Sequence, residues 1–173
     1  REEAMAAAAA EEKEFGIVSV ALGDGLAEIF GELGIDKIVD GGQTNNPSVN
    51  AFLDAFRSVN AEHIVVLPNN SNIIFTANQA AELYKEAPVH VIPTRSVMEG
   101  YGALSMANPE YDTVQELLDD MTMGTEDVRT AYVTTAIRDT YMDGVEVKKG
   151  QYIGLDGKHL VVAGDEKLPT AEA

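Results

Sequence analysis

Four short apolar segments in the first part of the sequence are each followed by a polar turn and an amphipathic helical pattern. The segments are 17–22, 37–40, 63–67 and 89–92. They are too short for buried helices, and Val and Ile are frequent in them, as in strands buried inside a sheet. Strands that alternate with helices are usually parallel. The sequence therefore predicts an α/β fold, a parallel sheet with helices on both faces.

Apolar residues in the predicted helices recur at spacings of three and four, which places them on one helix face. A fifth helix begins near Thr113 and Glu116, which have the spacing of a capping box. A shorter fourth helix is predicted near 97–104. The residues predicted to be buried on the other four helices are Leu26, Ile29, Phe30, Leu33; Val49, Phe52, Leu53, Phe56; Ile73, Ala77, Ala80, Tyr84; and Val114, Leu117, Leu118, Met121.

Capping residues mark the predicted starts of two helices. Asn46 precedes Pro47, so we expect Asn46 to cap the second helix and Pro47 to be its first residue. Ser71 or Asn72 is expected to cap the third helix.

The ends of the chain differ from this α/β pattern. After about Thr130 the pattern alternates, and Asp143-Gly144 is a strong hairpin signal. We therefore predict a linker helix at 1–14, an α/β domain at 15–129, an antiparallel β-hairpin extension at 130–163 and a flexible tail at 164–173.

Composition excludes several classes of function. The 173 residues carry a net charge of −17, which disfavours nucleic-acid binding and favours a basic protein partner. The absence of cysteine excludes disulfides and thiolate sites, and three scattered histidines do not indicate a metal centre. No apolar run approaches the roughly 20 residues that cross a bilayer. The Ala- and Glu-rich start lacks signal-peptide features, so a cytoplasmic protein without a transmembrane segment is expected.

Polar turns follow the second, third and fourth strands, and the carboxyl ends of parallel strands share one edge of the sheet. That edge also faces helix amino ends, which favour anions and polar groups. We therefore predict ligand or partner binding there, with no catalytic residue and no metal ligand. The candidate residues are Gly41, Gly42, Thr44, Asn45, Asn46, Ser48, Asn69, Asn70, Asn72, Thr94 and Arg95.

Each of these signals also has a purely structural interpretation. The Gly41–Ser48 loop can satisfy its own backbone, the asparagines can form turns, and Arg95 can be solvated. His63 and His90 are interpreted as partly buried core residues. The seven acidic residues between 110 and 127 form either a solvated helix face or a docking surface. Gly23-Asp24-Gly25 lacks nucleotide-loop spacing and is a tight turn in which Asp24 caps the first helix.

Five ordered motifs together resemble the carboxy-terminal region of the A subunit of bacterial fatty acid kinase, over roughly residues 15–155. The family is often labelled dihydroxyacetone-kinase-like or DAK phosphatase-domain. The motifs are ALGDGLAEIF (21–30), GGQTNNPS (41–48), LPNNSNII (67–74), VIPT (91–94) and AIRDT (136–140).

The resemblance implies that different domains and subunits bind the two substrates. A separate amino-terminal domain holds ATP and magnesium, whereas the carboxy-terminal region engages a DegV-like, fatty-acid-binding subunit, and the complex makes acyl phosphate. The present chain has no counterpart of the nucleotide domain. The resemblance therefore implies a non-catalytic fragment without its own cofactor. A homodimer formed through the parent protein is also compatible with it. The region also resembles the first, DegV-like lobe of the fatty-acid-binding subunit, in which a polar loop after a strand receives the lipid carboxylate. This resemblance implies that Thr44, Asn45 and Ser48 lie in the corresponding loop of the present chain.

Partner docking is the first expectation, and binding of a small carboxylate or phosphate is the alternative. A closed pocket over Thr44, Asn70 and Thr94 would favour the ligand, and a flat exposed edge would favour docking. A stand-alone hydrolase is a third interpretation, but no arrangement of nucleophile or metal ligands supports it.

Overall fold

The structure is a computed structural model that describes residues 13–21, 23–41, 46–108, 111, 113–126, 128–156 and 159–165. Its contacts divide the chain into two compact units, and the boundary lies between Val128 and Arg129. Residues 1–12 and 166–173, which include most of the predicted linker helix and tail, lie outside the described residues.

The first unit is built on a four-stranded sheet in which every pair of neighbours is parallel, in the order β2-β1-β3-β4. This confirms the predicted α/β fold. The strands are β1 (Lys13–Ala21), β2 (Lys37–Asp40), β3 (Ala61–Leu67) and β4 (Val89–Val91). The helices are α1 (Asp24–Glu32), α2 (Val49–Arg57), α3 (Ile74–Leu83), α4 (Val97–Met106) and α5 (Val114–Glu126).

Helices cover both faces of this sheet because alternate residues of the strands point to opposite sides. Ile64 and Val66 of β3 pack with α2 and α3, in a core that contains Phe52 and Phe56. The intervening apolar residues of β3 pack with α1, α4 and α5 on the other face. A strand buried on both faces reads as a continuous apolar run, which is why it was recognisable in the sequence.

Helices α4 and α5 approach closely at two glycines. A Cβ atom added to Gly102 would lie 2.3 Å from the carbonyl oxygen of Gly124, and one added to Gly124 would lie 2.3 Å from that of Gly102. The absence of side chains at these positions therefore sets the distance between the two helices.

Some predicted details of the first unit are wrong. Ile29 is 46% exposed, whereas Phe30 is buried, because Ile29 lies at the border of the apolar stripe of α1. The second helix is capped by Ser48, whose Oγ accepts from Ala51 N at 3.2 Å, so Asn46 is not its cap. Lys13 and Glu14 belong to β1 rather than to a linker helix, because Lys13 pairs in register with Ala61.

Two more predicted caps differ from the structure. The cap position of α3 is Ile73, which makes no side-chain capping bond, so neither Ser71 nor Asn72 caps it. The cap position of α1 is Gly23, and Asp24 is already the first helical residue. The predicted capping bond of Thr113 is confirmed, since its Oγ1 accepts from Glu116 N at 3.3 Å.

The second unit is antiparallel, as predicted. A three-stranded sheet has the order β5-β8-β9, and β6 and β7 form a separate hairpin. The hairpin turns at Asp143 and Gly144, both with positive φ, as an Asp-Gly turn requires. The strands are β5 (Ala131–Thr135), β6 (Thr140–Met142), β7 (Val145–Val147), β8 (Tyr152–Asp156) and β9 (His159–Gly164), so Gly164 extends a strand into the predicted tail. No helix among the described residues is long and apolar enough to cross a membrane.

Candidate functional site

Asn69 is the centre of a buried polar cluster at the carboxyl edge of the parallel sheet. Its side-chain nitrogen donates to Ser19 Oγ and to the Val20 carbonyl oxygen, both at 2.9 Å. Its side-chain oxygen accepts from Thr94 Oγ1, and its backbone N–H donates to the same Thr94 oxygen, again at 2.9 Å. One side chain therefore connects β1 with the segments that follow β3 and β4.

This cluster is inaccessible to a ligand. Ser19 and Thr94 are fully buried and Asn69 is 6% exposed. Asn69 has a φ of 58°, a left-handed conformation that Asn tolerates better than most residues. Both donors of its amide are used, so Asn69 and Thr94, two predicted binding residues, instead hold the strands together.

Gly100 of α4 makes room for this arrangement. A Cβ atom added there would lie 2.1 Å from Asn69 Oδ1, which is closer than any real contact. The side chain of Asn69 can occupy this position only because residue 100 has no side chain.

The amino end of α4 already carries a carboxylate. Glu99 Oε2 accepts from the backbone N–H of Arg95 at 2.6 Å, and Ser96 Oγ accepts from Glu99 N at 3.1 Å. The side chain of Arg95 is exposed. Since a helix amino end favours negative charge, Glu99 supplies internally the charge that a bound anion would bring. Ser96 and Glu99 were missed, although their spacing is that of a capping box.

The remaining candidate residues lie apart from this cluster. Asn70 Oδ1 accepts from Asn72 N at 2.9 Å, a local turn of the kind Asn often forms. Gly41 is buried, and its carbonyl oxygen accepts from Asn46 N at 3.1 Å. Ser48 caps α2. The other loop candidates, Gly42, Thr44 and Asn45, lie outside the described residues.

Large apolar side chains flank the same edge. Phe75, the second residue of α3, is 77% exposed, and Met98, the second residue of α4, is 52% exposed. These helices pack on opposite faces of the sheet. The edge therefore has a bonded polar centre with an exposed apolar side chain on each side.

A cavity of about 790 Å³ lies at the opposite, amino edge of the sheet. Apolar residues, among them Phe15, Leu104 and Leu117, line it together with Glu14 and Glu32. Its lining includes none of the candidate binding residues predicted from the sequence.

His63 and His90 lie next to each other on β3 and β4. Their ring nitrogens Nδ1 and Nε2 are 3.3 Å apart, and Phe15 packs against His63. Burial, with a smaller contribution from His63, lowers the pKa of His90 below 6.5. Within the described part of the chain, no three His, Cys, Asp or Glu side chains group so that they could hold a metal ion.

The family model for the C-terminal region of FakA-like proteins, those that resemble the A subunit of fatty acid kinase, matches residues 16–173. The chain belongs to this family.

The chain is also similar to longer bacterial proteins. Protein YloV of Bacillus subtilis is 39% identical over 158 residues, which are 91% of this chain and 28% of that protein. A Staphylococcus haemolyticus protein is 38% identical over 91% of this chain and 28% of its own length. A Staphylococcus aureus protein is 35% identical over 92% of this chain and 29% of its own length. This member of the FakA-like family thus spans less than a third of those relatives.

Among solved structures, the chain is similar to a phosphotransferase system component EIIA from Streptococcus agalactiae. The TM-score is 0.45 at 17% identity, covering 65% of this chain and 93% of that one. These values are too low to support an inference.

Proposed function

We propose that the first unit is the docking domain of a fatty acid kinase subunit. It binds a separate, DegV-like fatty-acid-binding subunit, so that the carboxylate of the bound fatty acid meets ATP and magnesium held by another domain of the parent protein. The chain performs no chemical step itself. Its contribution is positioning, which is a large part of catalysis in phosphoryl transfer.

The carboxyl edge of the sheet carries this proposal. A small-ligand site needs free polar groups in a concave pocket. Here Asn69 and Thr94 bond to each other, and Glu99 occupies the amino end of α4. Exposed Phe75 and Met98 instead offer the apolar anchors that protein interfaces use.

Charge also supports a protein partner. Residues 1–128 contain 22 acidic and six basic residues, a net charge of −16, whereas residues 129–173 contain seven and six, a net charge of −1. A strongly acidic unit attracts a partner whose facing surface is basic and speeds their encounter.

The test is calorimetric titration of the full-length parent protein with the fatty-acid-loaded partner subunit. We expect Phe75→Ala to weaken binding about 10- to 100-fold, as for an interface anchor. Leu83→Ala is the matched control, because Leu83 is 57% exposed at the far end of the same helix. Its affinity should equal that of the wild type.

The same titration separates docking from the alternative. Free fatty acid and inorganic phosphate are titrated alone into the parent protein and into its Arg95→Ala variant. Heat that depends on Arg95 would favour a carboxylate or phosphate site. Equal partner affinity in the wild type and in Phe75→Ala would exclude docking through this edge.

A further inference from the structure

Strand β5 is exposed along its whole length. All five residues of Ala131–Thr135 are exposed, although β5 pairs with β8 along one side. No described strand pairs with its other side. A strand normally buries at least one face, so this exposure distinguishes β5 from the strands of the first unit.

The backbone direction identifies the groups at the open edge. Ala136 N donates to the Gln151 carbonyl oxygen at 2.9 Å, and the Ala136 carbonyl oxygen accepts from Gly150 N at 2.8 Å. Ala136 therefore turns both backbone groups towards the neighbouring strand. Because this direction alternates in antiparallel pairs, Tyr132 and Thr134 also bond to β8, whereas Ala131, Val133 and Thr135 direct theirs to the open edge.

The sequence of β5 contains none of the usual protections of an edge strand. Free edges are commonly blunted by charged side chains, proline, a bulge or short length. The five residues AYVTT contain no charge and no proline, and their pairing with β8 has no register shift. The opposite edge differs, because the pairing of β9 with β8 is interrupted by a register shift at Gly154/Leu155.

The side chains of the three-stranded sheet suit an added strand. A cavity of about 270 Å³ is lined by residues of β5, β8 and β9, among them Val133, 37% exposed, and Val161, 56% exposed, so apolar side chains of an added strand would extend this surface. The exposed Arg129 precedes β5 by two residues and lines this cavity together with Asp156 of β8. An extended segment with alternating apolar side chains fits these features.

We propose that β5 is completed by a strand from a segment of the longer protein that lies outside this chain. The relatives extend well beyond the matched segment, which is 28% of their length in the first two. An exposed, uncharged strand edge promotes aggregation, so we expect the added strand to be bound at all times. A segment of the same polypeptide meets this need, because its effective concentration at the edge is high. Pairing by strand addition then supplies backbone hydrogen bonds along all five residues.

Residue-resolved amide hydrogen exchange in the full-length parent protein tests this. We expect the outward amides of Ala131, Val133 and Thr135 to exchange within about tenfold of the rates of Tyr132 and Thr134. Val133→Pro should release Ala131 and Thr135 while leaving Tyr132 and Thr134 protected, because only an outward donor is lost. Val133→Ala, which keeps the N–H group, should change neither set.

Fast exchange of the outward amides in the wild-type parent protein would overturn the proposal, whatever the variants do. Protection that disappears on dilution would also overturn it, because the added strand would then come from a second copy. Protection that appears only when the fatty-acid-binding partner is present would overturn it too, by assigning the edge to that partner. This outcome is independent of the Phe75 test, which concerns the first unit.

Discussion

The two units differ in how their sheets are buried. In the first unit, β3 has Val65, Val66 and Leu67 fully buried, with helices over both faces. In the second, three of the described residues form the buried core, and β5 has no buried residue. At the carboxyl edge of the first unit, Asn69 and Thr94 bond to each other and exposed apolar side chains lie beside them. In the second unit, no described strand pairs with the outer edge of β5. We therefore propose different modes of contact for the two units. The first binds its partner through exposed side chains, and the second pairs with an added strand through its backbone.

The largest expected effect comes from the core of the first unit. Phe52 is fully buried, and Phe52→Ala should reduce the free energy of unfolding by about 3–5 kcal/mol. Ile153→Ala in the smaller core should cost less, about 2 kcal/mol, because its surroundings collapse more easily. Denaturant unfolding, followed through hydrogen exchange in each unit, measures both. Equal losses would contradict the contrast between the cores.

The buried amide should be coupled to Gly100. Asn69→Ala leaves polar groups of β1 and Thr94 unpaired and should cost about 2–3 kcal/mol. Gly100→Ala should cost a similar amount by its clash with Asn69, about 1–3 kcal/mol. In the Asn69→Ala background the added methyl finds space, so the double variant should be more stable than the sum of the single losses predicts. Additive losses in denaturant unfolding would mean that the two residues do not share this space.

A smaller effect concerns the cap of α2. Ser48→Ala should destabilise the first unit by about 1 kcal/mol, because Ala51 N loses its acceptor. Asn46→Ala, the matched control at the position that the sequence pattern favours, should cost less. Thermal unfolding of both variants distinguishes them, and a larger loss for Asn46→Ala would identify Asn46 as the cap.

The histidine pair should make stability depend on pH in one direction. The folded pKa of His90 lies below 6.5, so the unfolded chain binds more protons in acid. The contribution of neutral His90 to the free energy of unfolding is fully present above about pH 6.5. It decreases as the pH drops towards the folded pKa of His90. His90→Gln should flatten the stability profile below about pH 6.5. An unchanged slope in denaturant titrations at several pH values would show that His90 does not cause it.

The sequence predicted what depends on local pattern. Buried strands such as β3 appear as apolar runs, and the helix faces of Phe52 and Phe56 follow from their spacing. Asn69 was recognised as unusual, but its role was not predictable, because turn formation and long-range bonding share the same local signal. Its partner Ser19 lies 50 residues away in the chain. The exposure of Phe75 agrees with the helical spacing, since Phe75 lies opposite the face predicted to be buried, but nothing local marks it as a contact for a partner.

Hydrogen exchange of the full-length parent protein, with and without its fatty-acid-loaded partner, tests the docking assignment most directly. We predict slower exchange at 69–76 and 95–102, around Phe75 and Met98, and no change at 81–88, at the far end of α3. Unchanged exchange at both edge segments, under conditions in which the partner is bound, would contradict it.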